Sequence, residues 1–132
     1  MTTYEYKGPW PWPNFAPAEI ACKCCGELWS RELGESMPLY FAASLDALQD
    51  LRDAWGDPLV ISSGHRCPKH NQAVNGAEGS QHLRLAFDCL VASGRQQAFV
   101  DLATQAGFLG IGRYPARGFV HLDCGPKRRW VG

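Results

Sequence analysis

From Pro38 to Trp55, the apolar residues Phe41, Leu45, Leu48 and Leu51 recur at helical spacing, with Asp46, Asp50, Arg52 and Asp53 between them. Apolar positions three and four apart share one side of an α-helix, so this stretch predicts an amphipathic helix stopped by Gly56-Asp57-Pro58. Leu59-Val60-Ile61-Ser62-Ser63 is a short β-branched run that predicts a buried strand. Cys67-Pro68 followed by His70 to Val74 predicts a short helix with proline in its first turn, and Asn75-Gly76 marks the turn after it. Leu85 to Val91 predicts a second buried strand, and Arg95 to Ala106 a second long helix closed by Gly107. Gly110, Gly112, Pro115 and Gly118 punctuate short extended pieces, of which Phe119-Val120-His121-Leu122-Asp123 alternates as a strand should.

Helices and strands are interleaved in an α+β order, with no internal repeat, low-complexity tract or interdomain linker. Pro9, Pro11, Pro13 and Pro17, interleaved with Trp10, Trp12 and Phe15, forbid a regular helix at the start. Residues 1–18 are therefore expected to form an extended aromatic and proline arm packed on a domain spanning 19–132.

A chain of 132 residues is long enough to bury about two-thirds of its unfolded surface in one domain. Its 45% apolar and 20% charged residues exclude a disordered chain, and the apolar runs are too interrupted for a membrane span. Thirteen basic residues balance thirteen acidic ones, so no net field draws it to nucleic acid; Lys127, Arg128 and Arg129 form only a small basic tail cluster. The opening MTTYEYKGPWPWPNF has neither the basic start nor the continuous apolar core of a secretory signal, which predicts synthesis in a cytoplasm. A monomer that acts without nucleic acid or membrane is expected.

In a reducing compartment the six cysteines are thiols or ligands rather than disulfides. Cys22-Lys23-Cys24-Cys25-Gly26 resembles half of a zinc knuckle, but no second pair follows at knuckle spacing, so thiols are expected there ahead of the alternative, a structural metal. Other residues point to a metal more directly. His82 and Asp88 lie six positions apart, and Asp88 sits within the apolar run Leu85 to Val91, where an unpaired carboxylate would be costly. A cation would settle it, with His121 as third ligand. So would an arginine partner for Asp88, with His82 capping a loop and His121 satisfied in the core.

Five blocks taken together resemble the zinc peptidases of the M15 family. They are Ser62-Ser63-Gly64-His65-Arg66-Cys67-Pro68-Lys69-His70-Asn71, Asn75-Gly76-Ala77-Glu78-Gly79-Ser80-Gln81-His82, Ala86-Phe87-Asp88, Gly110-Ile111-Gly112-Arg113-Tyr114 and Phe119-Val120-His121-Leu122-Asp123. That family comprises D-alanyl-D-alanine carboxypeptidases and peptidoglycan endopeptidases, phage endolysins among them. The resemblance implies a small single domain of the Hedgehog/DD-peptidase-like kind, with an antiparallel sheet core and flanking helices. It implies His82, Asp88 and His121 as Zn²⁺ ligands, Arg66 as a contact to substrate or oxyanion, and peptidoglycan stem or cross-link peptides as substrate. An endolysin-like enzyme would act on the wall after release from the cytoplasm; the alternative is a zinc-containing wall-binding module of the same fold.

Two departures from the family pattern stand out. The insert between His82 and Asp88 is one residue shorter than usual, and the acidic base that many members carry three residues before the last histidine is replaced by Gly118. Asp123 is the nearest carboxylate to His121. It is expected either to take a proton during catalysis or to orient His121 from behind. His65 and Glu78 are weaker candidates for the base.

Overall fold

The computed structural model describes residues 9–29 and 37–132. Helix α1 spans Pro17–Ile20, α2 Met37–Trp55, α3 Pro68–Ala73 and α4 Gln96–Ala106; the strands are β1 Ile61–Ser63, β2 Ala86–Leu90, β3 Gly110–Tyr114, β4 Phe119–Asp123 and β5 Arg128–Val131. The sheet order is β1-β2-β4-β3-β5, antiparallel throughout except that β5 runs parallel to β3. The α+β expectation therefore holds. No helix among the described residues is long and apolar enough to cross a membrane.

The helical periodicity read from the sequence is the periodicity of burial. Phe41, Leu45, Leu48 and Leu51 of α2 are all fully buried, and α2 stops where Gly56 takes a positive φ of 76°. Each such side chain contributes about 1.5–3 kcal/mol relative to an exposed one. Phe99, Val100 and Ala103 of α4 join the same core, together with Ile111, Phe87, Cys89, Val120 and Leu122 from the sheet. Gly107 closes α4 in the left-handed region at φ 108°, its N–H donating to the carbonyls of Ala103 and Thr104.

Part of the N-terminal stretch contributes to the core. Trp12 and Phe15 are buried, and Trp12 Nε1 donates to Asp46 of α2 at 2.9 Å. Pro17 and Ala18, expected to be extended, begin α1, because proline suits the first position of a helix. The rest of the expected arm, residues 1–8, lies outside the described residues.

Alternation along the sheet decides where chemistry can sit. Phe87, Cys89, Ile111, Val120 and Leu122 face the helices. Their neighbours Ala86, Asp88, Gly110, Gly112, His121 and Asp123 therefore face the opposite side.

Candidate metal centre

On that second face β2 and β4 set Asp88 directly opposite His121, and opposed residues of an antiparallel pair project side by side. His82 arrives from elsewhere, on the 3-10 turn Gln81–Leu83, where Ser80 Oγ accepts the His82 N–H at 3.2 Å. His82 Nε2 and His121 Nδ1 each lie 3.2 Å from Asp88 Oδ1. Ligands about 2.0–2.1 Å from a tetrahedral zinc stand roughly 3.3 Å from one another, so the spacing suits such an ion.

The protons on the two rings agree with this. His82 Nδ1–H donates to the Gly64 carbonyl at 2.7 Å, and His121 Nε2–H donates to Asp123 Oδ2 at 2.6 Å. With those protons committed, the remaining nitrogens turn lone pairs toward the Asp88 carboxylate. Two lone pairs against an anion are mutually repulsive unless a cation or extra protons intervene. His82, Asp88 and His121 thus form a donor set that fits a divalent metal.

Electrostatics follow the same contacts. Burial pushes the Asp88 carboxyl up, but the imidazoles of His121 and His82 beside it outweigh burial and hold the group below the usual range. Burial works against charge on His121, and the Asp123 and Asp88 carboxylates overcome it, raising its pKa. For Asp123, burial is outweighed by His121 and Arg128, and the pKa is lowered.

Asp123 lies behind His121, away from Asp88, with its side chain wholly buried. Its Oδ1 accepts from Gly125 N at 2.9 Å and Arg128 Nη1 at 3.2 Å, and its Oδ2 from Arg128 Nη2 at 2.8 Å. This is the carboxylate–histidine arrangement that fixes a ligand's tautomer.

A cleft of about 750 Å³ opens over the centre, lined by Arg66, His82, Asp88, Tyr114, His121 and Trp130 among others. Arg66 Nη2 lies 3.6 Å from Asp88 Oδ2, while its Nε and Nη1 donate to Ser63 Oγ and Asn71 Oδ1, both at 3.2 Å. Arg117, Arg128 and Arg129 line the same cleft, and Asp88 is the one carboxylate among its described lining residues.

The family model described as peptidase M15 matches residues 13–123. The chain belongs to the peptidase M15 family. The match takes in all three metal-binding candidates, Arg66 and Asp123, and it makes this M15 chain a peptidase whose substrate is a peptide. M15 peptidases are zinc-dependent, which agrees with the donor set. No curated protein matches the chain.

Neither weaker base candidate borders the M15 cleft. His65 is buried with Nδ1 against the Arg84 carbonyl at 2.9 Å, and burial lowers its pKa to about 4. Glu78 is exposed beside a separate hollow formed with Pro68, Asn71 and Leu83. Gly118, at the position of the family's acidic base, closes the β3–β4 turn at φ 71°.

Apart from Asp123, the supporting residues of the centre were not recognisable as such in the sequence. Gly110 and Gly112, read as punctuation, are strand residues. A Cβ on Gly110 would collide with the Asp123–Arg128 pair, and one on Gly112 with the Trp130 indole. Arg128, read as part of a basic tail cluster, and Trp130 belong to β5, and the Trp130 ring lies 5.2 Å from that of His121. The available signal was the Gly-Ile-Gly spacing, which bares one face of a strand for close approach.

Proposed function

We propose that this chain is a zinc-dependent peptidase that hydrolyses peptide bonds of bacterial peptidoglycan, as an endolysin-like carboxypeptidase or endopeptidase. The observation that carries the reading is the convergence of His82 Nε2, Asp88 Oδ1 and His121 Nδ1 with both imidazole protons committed elsewhere. A bound zinc ion would supply Lewis acidity toward the scissile carbonyl and toward a water. His82, Asp88 and His121 would hold that ion and leave a position open to the cleft. Arg66 would bind a carboxylate or carbonyl oxygen of the substrate, its planar fork aimed by Ser63 and Asn71.

Asp123 is a positioning residue in this scheme. It holds the proton on His121 Nε2 and so keeps Nδ1 available as a ligand. The arginines of the cleft favour a peptide with free carboxylates, as wall stem peptides have. One chain supplies the whole site, so a monomer suffices.

A second reading, a zinc-containing wall-binding module, is favoured by Gly118 in place of the family's base and by the lack of a second carboxylate among the described residues of the cleft. One assay separates the two. Purified protein is incubated with peptidoglycan, with and without a chelator, and released peptides are identified by mass spectrometry. Chelator-sensitive cleavage is expected; an ion held by the His–Asp–His set with no cleavage of any wall preparation would leave the binding module.

A further inference from the structure

A second convergence of donors lies outside the cleft. The sulfurs of Cys22, Cys25 and Cys67 all lie within 4.8 Å of one another, although Cys67 is forty-five positions from Cys22. Cys22 is buried, Cys25 and Cys67 are partly so, and none of the three is in a disulfide.

Two local structures deliver them. Residues 22–27 form a closed turn, in which Cys22 N donates to the Glu27 carbonyl and Gly26 N to the Cys22 carbonyl, both at 2.8 Å. The Gly26–Cys22 bond closes the turn that carries Cys25, and Gly26 at φ 76° reverses the chain so that Glu27 returns to Cys22. Cys67 caps the N-terminus of α3. The two segments are pressed together just upstream, where His65 N donates to the Ile20 carbonyl at 2.8 Å and a Cβ on Gly64 would collide with the Ile20 backbone.

The sulfurs also receive donors. Cys67 N points at Cys22 Sγ (3.4 Å) and His70 N at Cys67 Sγ (3.3 Å), contacts that favour thiolates. Zinc–thiolate bonds of about 2.3 Å set sulfurs of a tetrahedral site roughly 3.8 Å apart, within the spacing here. Three neighbouring thiolates repel one another unless a cation lies between them, and soft sulfur ligands select zinc over magnesium or calcium.

We propose that Cys22, Cys25 and Cys67 bind a structural zinc ion, separate from the His82–Asp88–His121 centre, with solvent or a side chain outside the trio completing the tetrahedron. The Cys22–Cys25 run by itself favours thiols over a metal because the third sulfur, Cys67, arrives only through the tertiary structure. The ion clamps the N-terminal segment to the stretch Gly64–Cys67, which carries the carbonyl that anchors His82 and the guanidinium of Arg66. The site stabilises the floor of the cleft and takes no part in chemistry.

Cobalt substitution of the full chain under reducing conditions tests this. The expected result is a near-ultraviolet thiolate-to-cobalt charge-transfer band, kept in His82→Ala and in Cys24→Ser, whose sulfur lies outside the trio, and lost in Cys25→Ser and Cys67→Ser. Zinc content should fall from two ions per chain, one for each donor set, to one in either of the last two variants. Should those variants fail to fold by circular dichroism, alkylation of the wild type decides: zinc must protect Cys22, Cys25 and Cys67 and leave Cys24 reactive. Absence of the band in metal-loaded wild type, or equal alkylation with and without zinc, overturns the proposal. Neither readout depends on peptidase activity, so failure of the enzymatic reading leaves the test intact.

Discussion

Replacing Asp123 by asparagine separates support of a ligand from proton transfer. In the native arrangement Oδ1 accepts from Gly125 N and Arg128 Nη1, and Oδ2 from Arg128 Nη2 and His121 Nε2. All four partners are donors, so a carboxylate satisfies every one and an amide cannot. With the Asn amide nitrogen at the Oδ2 position, it opposes Arg128 Nη2 and donates to His121, forcing the ring proton onto Nδ1 and removing a metal ligand. With the amide flipped, it opposes Gly125 N and Arg128 Nη1 instead. The first orientation forfeits one hydrogen bond and reverses another, the second forfeits two, and in each the bond lost to the charged Arg128 is worth about 1.5–3 kcal/mol. Loss of such a supporting carboxylate weakens metal binding by roughly 10–100-fold, or about 1.4–2.8 kcal/mol. Zinc affinity of Asp123→Asn is measured by competition against a chromophoric chelator, and peptide release is measured at saturating zinc. Affinity should fall within that range and activity should be largely restored by added metal. Native zinc affinity with activity still lost at saturation would refute the reasoning and make Asp123 a proton carrier.

Three further outcomes follow from the same contacts. Arg66→Lys keeps the charge but loses the planar fork, so kcat/KM on wall peptides should fall about 10–100-fold while zinc affinity stays unchanged; unchanged kcat/KM would remove Arg66 from substrate binding. His65 titrates near 6.5 when unfolded and at about 4 when folded. The unfolded chain therefore takes up a proton between those values that the folded chain refuses. Its contribution is full above about pH 6.5 and falls by about 3 kcal/mol as the pH drops toward 4. Denaturant unfolding at pH 7 and 4.5 should show a smaller acid loss in His65→Gln, and an equal loss would contradict the assignment. Gly112→Ala drives a methyl into Trp130 and should cost about 1–3 kcal/mol of stability, whereas Gly94→Ala, where a Cβ meets nothing within 4 Å, should be close to neutral. Equal melting of the two variants would show that Trp130 yields without cost.

Elements with a strong local period were legible in the chain. The α2 stripe of Phe41, Leu45, Leu48 and Leu51, the Gly107 stop of α4 and the alternation of Phe119–Asp123 depend on neighbours within a few residues. β3 and β5 were not legible, because glycines and arginines carry little strand propensity. Their pairing is fixed by contacts that the sequence does not advertise: Gly110 lies opposite Asp123 on one side and Arg128 on the other. Asp88 was legible for a different reason, since a carboxylate in an apolar run demands a partner wherever the chain leads.

The residue types alone determined that a metal-binding chemistry was available, through the isolated charge at Asp88 and two histidines with the blocks around them. Only the tertiary structure decided which atoms face one another. Ring tautomers are set by acceptors that arrive from other segments, the Gly64 carbonyl for His82 and the Asp123 carboxylate for His121. A sulfur trio likewise becomes a site only when Gly64 lets the Ile20 backbone approach closely enough to bring Cys67 to Cys22. Local propensity acts over a few residues, whereas a coordination sphere a few ångströms across is assembled by packing.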